Sequence, residues 1–373
     1  MANKLLPSFE VHGFRAFEHL SLEKLGRVNL IVGKNNVGKS SLLEALWVYA
    51  NQGTSAVLGS LLDARDESGQ LSGLRMTDDD TENQISSVRY LFHGRKSPKL
   101  GTPKMEFGPV NRPSQRLSIK FVLLEDMEDE EGERKLREVE DTNNGVDTIP
   151  SLLIQSGKNS SYIRLNRSFS RNLRDKFPSS FQCVLLSANG LSITDIGKFW
   201  DNITLSPQEN DVLNTLQIIE PDIERVNLIA GTSKALPLRE REQRIPIIKV
   251  RSFDNPVPLK SLGEGMNRLF GIALALANAK NGMLLVDEIE SGLHYTVHLE
   301  MWRFIFQAAK RLDVQVFATT HSWDCISAFQ EAAQDNEDDG MLIRLENKKG
   351  KIIPTFFDEK ELAIVAREQI EVR

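Results

Sequence analysis

The chain has 373 residues, more than one hydrophobic core usually serves, so two lobes are expected. A formal net charge of −6 excludes global attraction to nucleic acid or anionic membrane; any such contact needs a local basic patch. Its two cysteines, Cys183 and Cys325, are too few for a disulfide framework and too scattered for a zinc site, and no apolar run suits a signal peptide or a spanning helix, so a reducing, cytoplasmic setting without a membrane is expected.

In chain order, residues 9–17 alternate loosely and predict a strand, and 28–32 (VNLIV) a short buried one. From Lys39, apolar Leu42, Leu43, Leu46, Trp47 and Ala50 fall at helical spacing. Residues 63–82 and 125–147 are acidic and polar and predict exposed loops. Strands are predicted at 117–125, 151–157, 224–230 and 245–253, with a mostly helical stretch at 191–216. The basic segment 164–176, near Phe169 and Phe177, is either ordinary surface or a contact for DNA or RNA phosphates. Order returns at Ser261: a loop and helix, a strand ending in acids at 282–288, a helix at 295–312, a strand at 314–322, a helix at 323–333, and a hairpin turning at Lys349-Gly350. The alternation predicts an α/β core with a parallel sheet, one part near 9–50 and the other after about residue 245.

The sharpest signal is GKNNVGKSS: Gly33, Lys34, Asn35, Asn36, Val37, Gly38, Lys39 and Ser40 satisfy G-x-x-x-x-G-K-[ST], and Ser41 follows. Such a loop wraps a diphosphate with inward-pointing backbone N–H groups, and Gly38 permits close approach. The helix starting there adds the positive end of its dipole. Lys39 is expected on the terminal phosphates and Ser40 on Mg²⁺.

The strand MLLV delivers Asp287 and Glu288 to a sheet edge, where ligands of open α/β sheets bind. Asp287 is the candidate Mg²⁺ ligand and Glu288 the candidate general base; alone, the pair would read as solvated strand-end acids. His321, ending the next strand, is the candidate partner of the γ-phosphate or attacking water. SLGEGMNR opens a helix after a glycine-containing loop, a second anion site. One protomer needs one cradle, so this second terminus is expected to meet the nucleotide of a partner subunit.

This ordered set resembles the ATP-binding-cassette class of ATPases: Walker A in GKNNVGKS, signature in SLGEGM, Walker B in LLVDE, D-loop in SGLH (Ser291, Gly292) and switch histidine in TTHS. Within that class the chain is most similar to the RecF/SMC-like heads and to the OLD-like (overcoming lysogenization defect) ATPases, on FEVHGFRAFEHLSLE, LLSANG and the C-terminal FFDEKELAIVAREQIEVR. The resemblance implies a P-loop NTPase of ABC-ATPase type: a split head (1–60 and 245–373) with a parallel core sheet, and an insert (61–244) with an antiparallel β-lobe and a helical segment. It implies a head-to-tail dimer or higher homo-oligomer binding ATP and Mg²⁺, with Ser261, Gly263, Glu264 and Gly265 acting in trans. It departs from Leu-Ser-Gly-Gly-Gln by lacking the serine after Leu262, and Gln182 is the one weak candidate for a Q-loop residue. Many OLD-like proteins carry a Toprim nuclease domain; none follows here, so the expectation is a separate effector such as a nuclease, in DNA transactions or antiphage defence.

Two rivals stay open: an ATP-binding sensor or scaffold that hydrolyses negligibly, and a transporter's ATPase subunit, which the long insert disfavours. His294 and His298 lack the glutamate of H-E-x-x-H and are expected on a solvated helix face. Phe14 or Phe17 could stack on adenine or belong to the core.

Overall fold

The computed structural model describes residues 5–68, 79–100, 104–128, 134–139, 148–166, 169, 181–230, 244–336, 339–358 and 361. At its centre is β3 (Val28–Val32), five residues buried on both faces. It lies between β14 (Gln315–Thr319) and β15 (Gly340–Lys348) in a six-stranded sheet that continues on one side to β13 (Met283–Val286) and β9 (Cys183–Leu186) and on the other to β16 (Lys351–Phe357). All pairings are parallel except the β15–β16 hairpin.

Parallel strands buried on both faces read as unbroken apolar runs, and alternate residues feed two cores. Val28, Leu30, Val32, Leu284 and Val286 face one core, built with α6 (Glu264–Asn278), α7 (His298–Leu312) and α8 (Trp323–Gln334). Ile31, Met283, Leu285 and Phe317 face the other, shared with α1 (Lys39–Ala50), α2 (Ser55–Asp63) and a second sheet. That second sheet is antiparallel: β1 (Phe9–Phe14), β2 (Phe17–Leu22), β4 (Lys104–Gly108), β5 (Leu117–Glu128), β6 (Arg134–Val139), β7 (Thr148–Ser156) and β8 (Asn159–Arg164). A third, small sheet joins β10 (Ile223–Ala230), β11 (Arg244–Val250) and β12 (Val257–Pro258). α4 (Ile193–Ile203) and α5 (Pro207–Leu216) send Trp200, Val212 and Leu216 onto the α6 side. A parallel sheet sandwiched this way, with a phosphate-type loop after its central strand, is the fold of a P-loop NTPase of ABC-ATPase type.

Sheet membership cuts across the sequence boundaries at 60 and 244. β1 and β2 lie in the antiparallel sheet, whereas β9 completes the core sheet.

Several local expectations are corrected. Residues 9–17 form two strands, not one: Gly13 (φ 64) sits where a Cβ would meet Lys104 O at 2.3 Å, and Arg15 (φ 45) turns the chain so that Phe14 pairs with Phe17. The polar stretch 63–82 includes the start of α3 (Asp79–Val88). The acidic stretch 125–147 contains strand, because basic residues face its acids across the β5–β6 ladder: Glu125 opposes Arg137, and Lys120 reaches Glu138 at 3.1 Å. His298 is not on a solvated face; it is 3% exposed, whereas His294 is exposed and bonds Thr296. Most of the basic segment 164–176, and Phe177, lie outside the described residues. Phe169 packs against Gly59 rather than serving a basic surface. Among the described residues no helix is long and apolar enough to cross a membrane.

Candidate nucleotide site

Parallel order puts the C-terminal ends of β3, β14 and β13 side by side, so Gly33–Ser41, His321 and the Asp287-Glu288 pair share one edge. Gly33 (φ 142) lies where a Cβ would strike Leu345 O at 2.4 Å, and Asn36 (φ 62) and Gly38 (φ 102) complete a turn that ordinary residues resist. Gly38 caps α1 in the left-handed conformation without a side-chain cap, so the first-turn N–H groups stay available to an anion. Val37 is buried beneath the loop, and Asn35 and Asn36 are exposed above it.

Lys39 Nζ donates to Gly33 O at 2.7 Å and Lys34 O at 3.0 Å, folding its ammonium into the loop. Burial pulls its pKa down; Asp287, Glu288 and Glu290 pull the other way. Ser40 Oγ donates to Asp287 Oδ1 at 3.1 Å, and Thr319 Oγ1 donates to the same oxygen at 2.6 Å while accepting from Glu288 N. Glu288 holds φ 47, a strained backbone for a glutamate, with its carboxylate 3.7 Å from His321 Nε2. Glu290 Oε1 accepts from His321 N and Ser322 N, and Ser322 caps α8, so the histidine sits on a fixed corner.

These groups open into a cleft of 770 Å³ whose walls include Asn35, Asn36, Gly38, Lys39, Ser40, Ser41, Glu288 and His321. Arg15, Arg65, Tyr90, His93 and Arg95 also line it. The segment after α3 is clamped to the β1–β2 turn: Arg15 N donates to Leu91 O, and His93 Nδ1 donates to Arg15 O at 3.0 Å. Arg15 is bound by Glu44 and Glu67 at 2.8 Å and by Leu61 O, and Arg65 binds Glu44 as well. Reading 9–17 as one strand hid this corner, because only the turn brings Arg15 to the cleft. Phe14 and Phe17 are fully in the core; Tyr90 is the aromatic on the cleft wall.

Arg268 was also missed. From α6 its guanidinium donates to Asp287 O (2.6 Å), Glu288 O and Ser187 O (2.7 Å each), and reaches Ala188 O and Ile289 O at 3.4 Å. Burial lowers its pKa to about 10, against the opposing pull of Glu290, Asp287 and Glu288. A cation buried among carbonyls at the acid pair's backbone has a legible signal in SLGEGMNR, but its role depends on strands far away in sequence.

Ser261, Gly263, Glu264 and Gly265 do not line this cleft. Ser261, Gly263 and Glu264 are exposed and Gly265 is half-buried; Glu264 and Gly265 lie against Gly292, with a Cβ at Gly265 only 3.0 Å from Gly292 O. Gln182 is at the wrong end of the sheet for a nucleotide contact: it precedes β9, which runs parallel to β13, and its carbonyl accepts from Met283 N. The segment that reaches the site from β9 is Ser187–Ala188, held by Arg268.

A family model described as "AAA domain, putative AbiEii toxin, Type IV TA system" matches residues 128–324, and one described as "AAA ATPase domain" matches residues 5–92. The chain is 22% identical over 357 residues to the "ATP/GTP phosphatase" of Helicobacter pylori, covering 89% of this chain and 90% of that one. Among solved structures it is similar to the SmcHead bound to the C-winged helix domain of ScpA, at 13% identity and TM-score 0.48, over 95% of this chain and 97% of that one. It is also similar to the Smc head domain with an extended coiled coil bound to the C-terminal domain of ScpA derived from Pyrococcus furiosus, at 12% identity and TM-score 0.47, over 98% and 99%.

Proposed function

The chain belongs to this AbiEii-type AAA-domain family, whose model spans more than half its length, and from that premise we propose an Mg²⁺-dependent ATP hydrolase whose copies close head to tail over shared nucleotides. The observation that carries the reading is the meeting of Lys39, Ser40, Asp287, Glu288 and His321 at the ends of three adjacent parallel strands. A name of "ATP/GTP phosphatase" for a relative matched along most of its length supports triphosphate hydrolysis as the reaction.

In this reading Gly33–Ser41 binds the phosphates through backbone N–H groups, and Lys39 exchanges its two carbonyl partners for phosphate oxygens. Ser40 and Asp287 suit Mg²⁺, since both offer oxygen and they already meet at 3.1 Å. The ion would neutralise charge on the phosphate oxygens. Glu288 accepts the proton of the attacking water, and His321 hydrogen-bonds the water or the γ-phosphate. Arg268 holds the Asp287 and Glu288 backbone in place. The base lies toward Tyr90, His93 and Arg95, which line the same cleft.

Ser261, Gly263, Glu264 and Gly265, the last two against Gly292, act on the partner's nucleotide. Their position outside the chain's own cleft supports this division of labour. We further assign the chain to the OLD-like group, working with a separate effector such as a nuclease on DNA or RNA, in DNA transactions or antiphage defence.

Glu288→Gln tests the reaction. An enzyme should lose turnover while retaining ATP and accumulating dimer; variant turnover equal to wild type would identify a scaffold instead. Turnover per chain should also rise with protein concentration, and a constant rate in a verified monomer would defeat the shared site.

A further inference from the structure

Outside the nucleotide cleft, β1 and β2 bring three metal-ligating side chains to one point. Glu10 and His12 are two apart on β1 and so share a face, and His19 is the register partner of His12 across the hairpin. His12 Nε2 lies 3.1 Å and His19 Nε2 2.9 Å from the same oxygen, Glu10 Oε1. The imidazoles are stacked, 4.1 Å between centroids and 6° between planes, and the three ligand atoms fall within 4.8 Å of one another.

We propose that Glu10, His12 and His19 form a zinc-binding site on the outer face of the β1–β2 hairpin. Two imidazole nitrogens and one carboxylate oxygen are a donor set suited to Zn²⁺, leaving a fourth position to water. Without thiolates the set is too hard for Cu(I), and with two nitrogens too soft to select Mg²⁺ or Ca²⁺. Arg116 Nη2 holds Glu10 Oε2 at 2.7 Å, which orients the carboxylate and leaves Oε1 toward the histidines. Glu106, the register partner of His12 on β4, also pairs with Arg116 and with Lys104, so its charge offsets these cations. The stacked rings rotate to converge on one ion, and their ligand atoms already lie within 4.8 Å of one another.

The site is open to solvent: the His19 side chain is 51% exposed, and both histidines line a groove of 570 Å³ beside the Lys351–Pro354 segment. None of the three ligands lines the nucleotide cleft. The hairpin ends in Arg15 and Ala16, which do. Zinc would therefore brace the strands that carry one wall of that cleft.

The test uses the full chain, stripped with chelator and titrated with Zn²⁺ by calorimetry and with Co²⁺ by visible absorption. The expected result is one saturable Zn²⁺ per chain, with a Co²⁺ d–d spectrum that Zn²⁺ displaces. His12→Ala should weaken binding by about tenfold or more, and so should His19→Gln, a conservative change at an exposed side chain. His294→Ala, at an exposed histidine elsewhere, should leave it unchanged. Absence of saturable binding, or equal affinity in wild type and in His19→Gln of native circular dichroism, would overturn the site.

Discussion

Ser40 Oγ donates to Asp287 Oδ1 at 3.1 Å, joining residues 247 apart in sequence. The contact comes from strand order: β14 separates the two parent strands in the sheet, and its Thr319 donates to the same oxygen. Two hydroxyls on one carboxylate oxygen fix Asp287 toward the phosphate loop. Ser40→Ala should leave the fold intact, since Thr319 still holds Asp287, but should lower Mg²⁺-dependent nucleotide affinity by about tenfold. Titration with ATP in the presence and absence of Mg²⁺ checks this; equal loss in both would contradict the metal role.

Lys39 should matter to ligand binding and little to folding. The residue is 6% exposed and burial lowers its pKa, so the unliganded chain carries a desolvation cost there. Lys39→Met should abolish measurable ATP binding while the nucleotide-free melting temperature stays at or above that of wild type. A marked drop in melting temperature would show that its bonds to Gly33 O and Lys34 O are structural.

Arg268 is a positioning residue. Arg268→Met keeps volume but leaves buried carbonyls without a donor, so a loss of about 3 kcal/mol of stability is expected. Arg268→Lys retains the charge with a different donor geometry and should recover part of that stability. If the backbone of the acid pair is what it positions, the lysine variant should lower kcat more than it raises KM for ATP. Wild-type kcat in a stably folded Arg268→Lys would sink this role.

His93 should sense the base. Its Nδ1 donates to Arg15 O, so the neutral ring has an acceptor, Nε2, and a position on the cleft wall. An acceptor there suits the 6-amino group of adenine and not the 6-carbonyl of guanine. His93→Ala should weaken ATP by about fivefold and GTP little, given the modest worth of one hydrogen bond. Competition between the two nucleotides reads the ratio; an unchanged ratio would remove His93 from base selection.

Glu44 gives a pH signature. Burial raises its pKa above 4.5, with Arg15 and Arg65 opposing. A carboxylate with a raised folded pKa contributes stability that is fully present below 4.5 and is lost as pH rises through the folded value. Relative to wild type, Glu44→Gln should therefore gain stability as pH climbs from 4.5, measured as paired melting temperatures across acidic to neutral pH. A gap independent of pH would mean that Glu44 titrates as an exposed carboxylate does.

The sequence by itself determined the phosphate loop, the acids at the end of β13 and the histidine at the end of β14. Each is local: a run of apolar residues buried on both faces, then the polar residues that the strand end must present. The terminal hairpin was legible for the same reason, with Lys349 (φ 54) and Gly350 (φ 85) supplying its turn. Only the tertiary structure decided that β9 completes the core sheet, that β1 and β2 leave it for the antiparallel sheet, and that Arg15, His93 and Arg268 reach the edge that carries the phosphate-type loop and the acid pair. Their positions arise from contacts between segments distant in sequence, such as the Phe14–Phe92 bridge beside Arg15 and the bonds of Arg268 to Ser187 O and Asp287 O. Periodicity along a chain reports which face a residue shows; it carries no record of which strand comes to lie beside it.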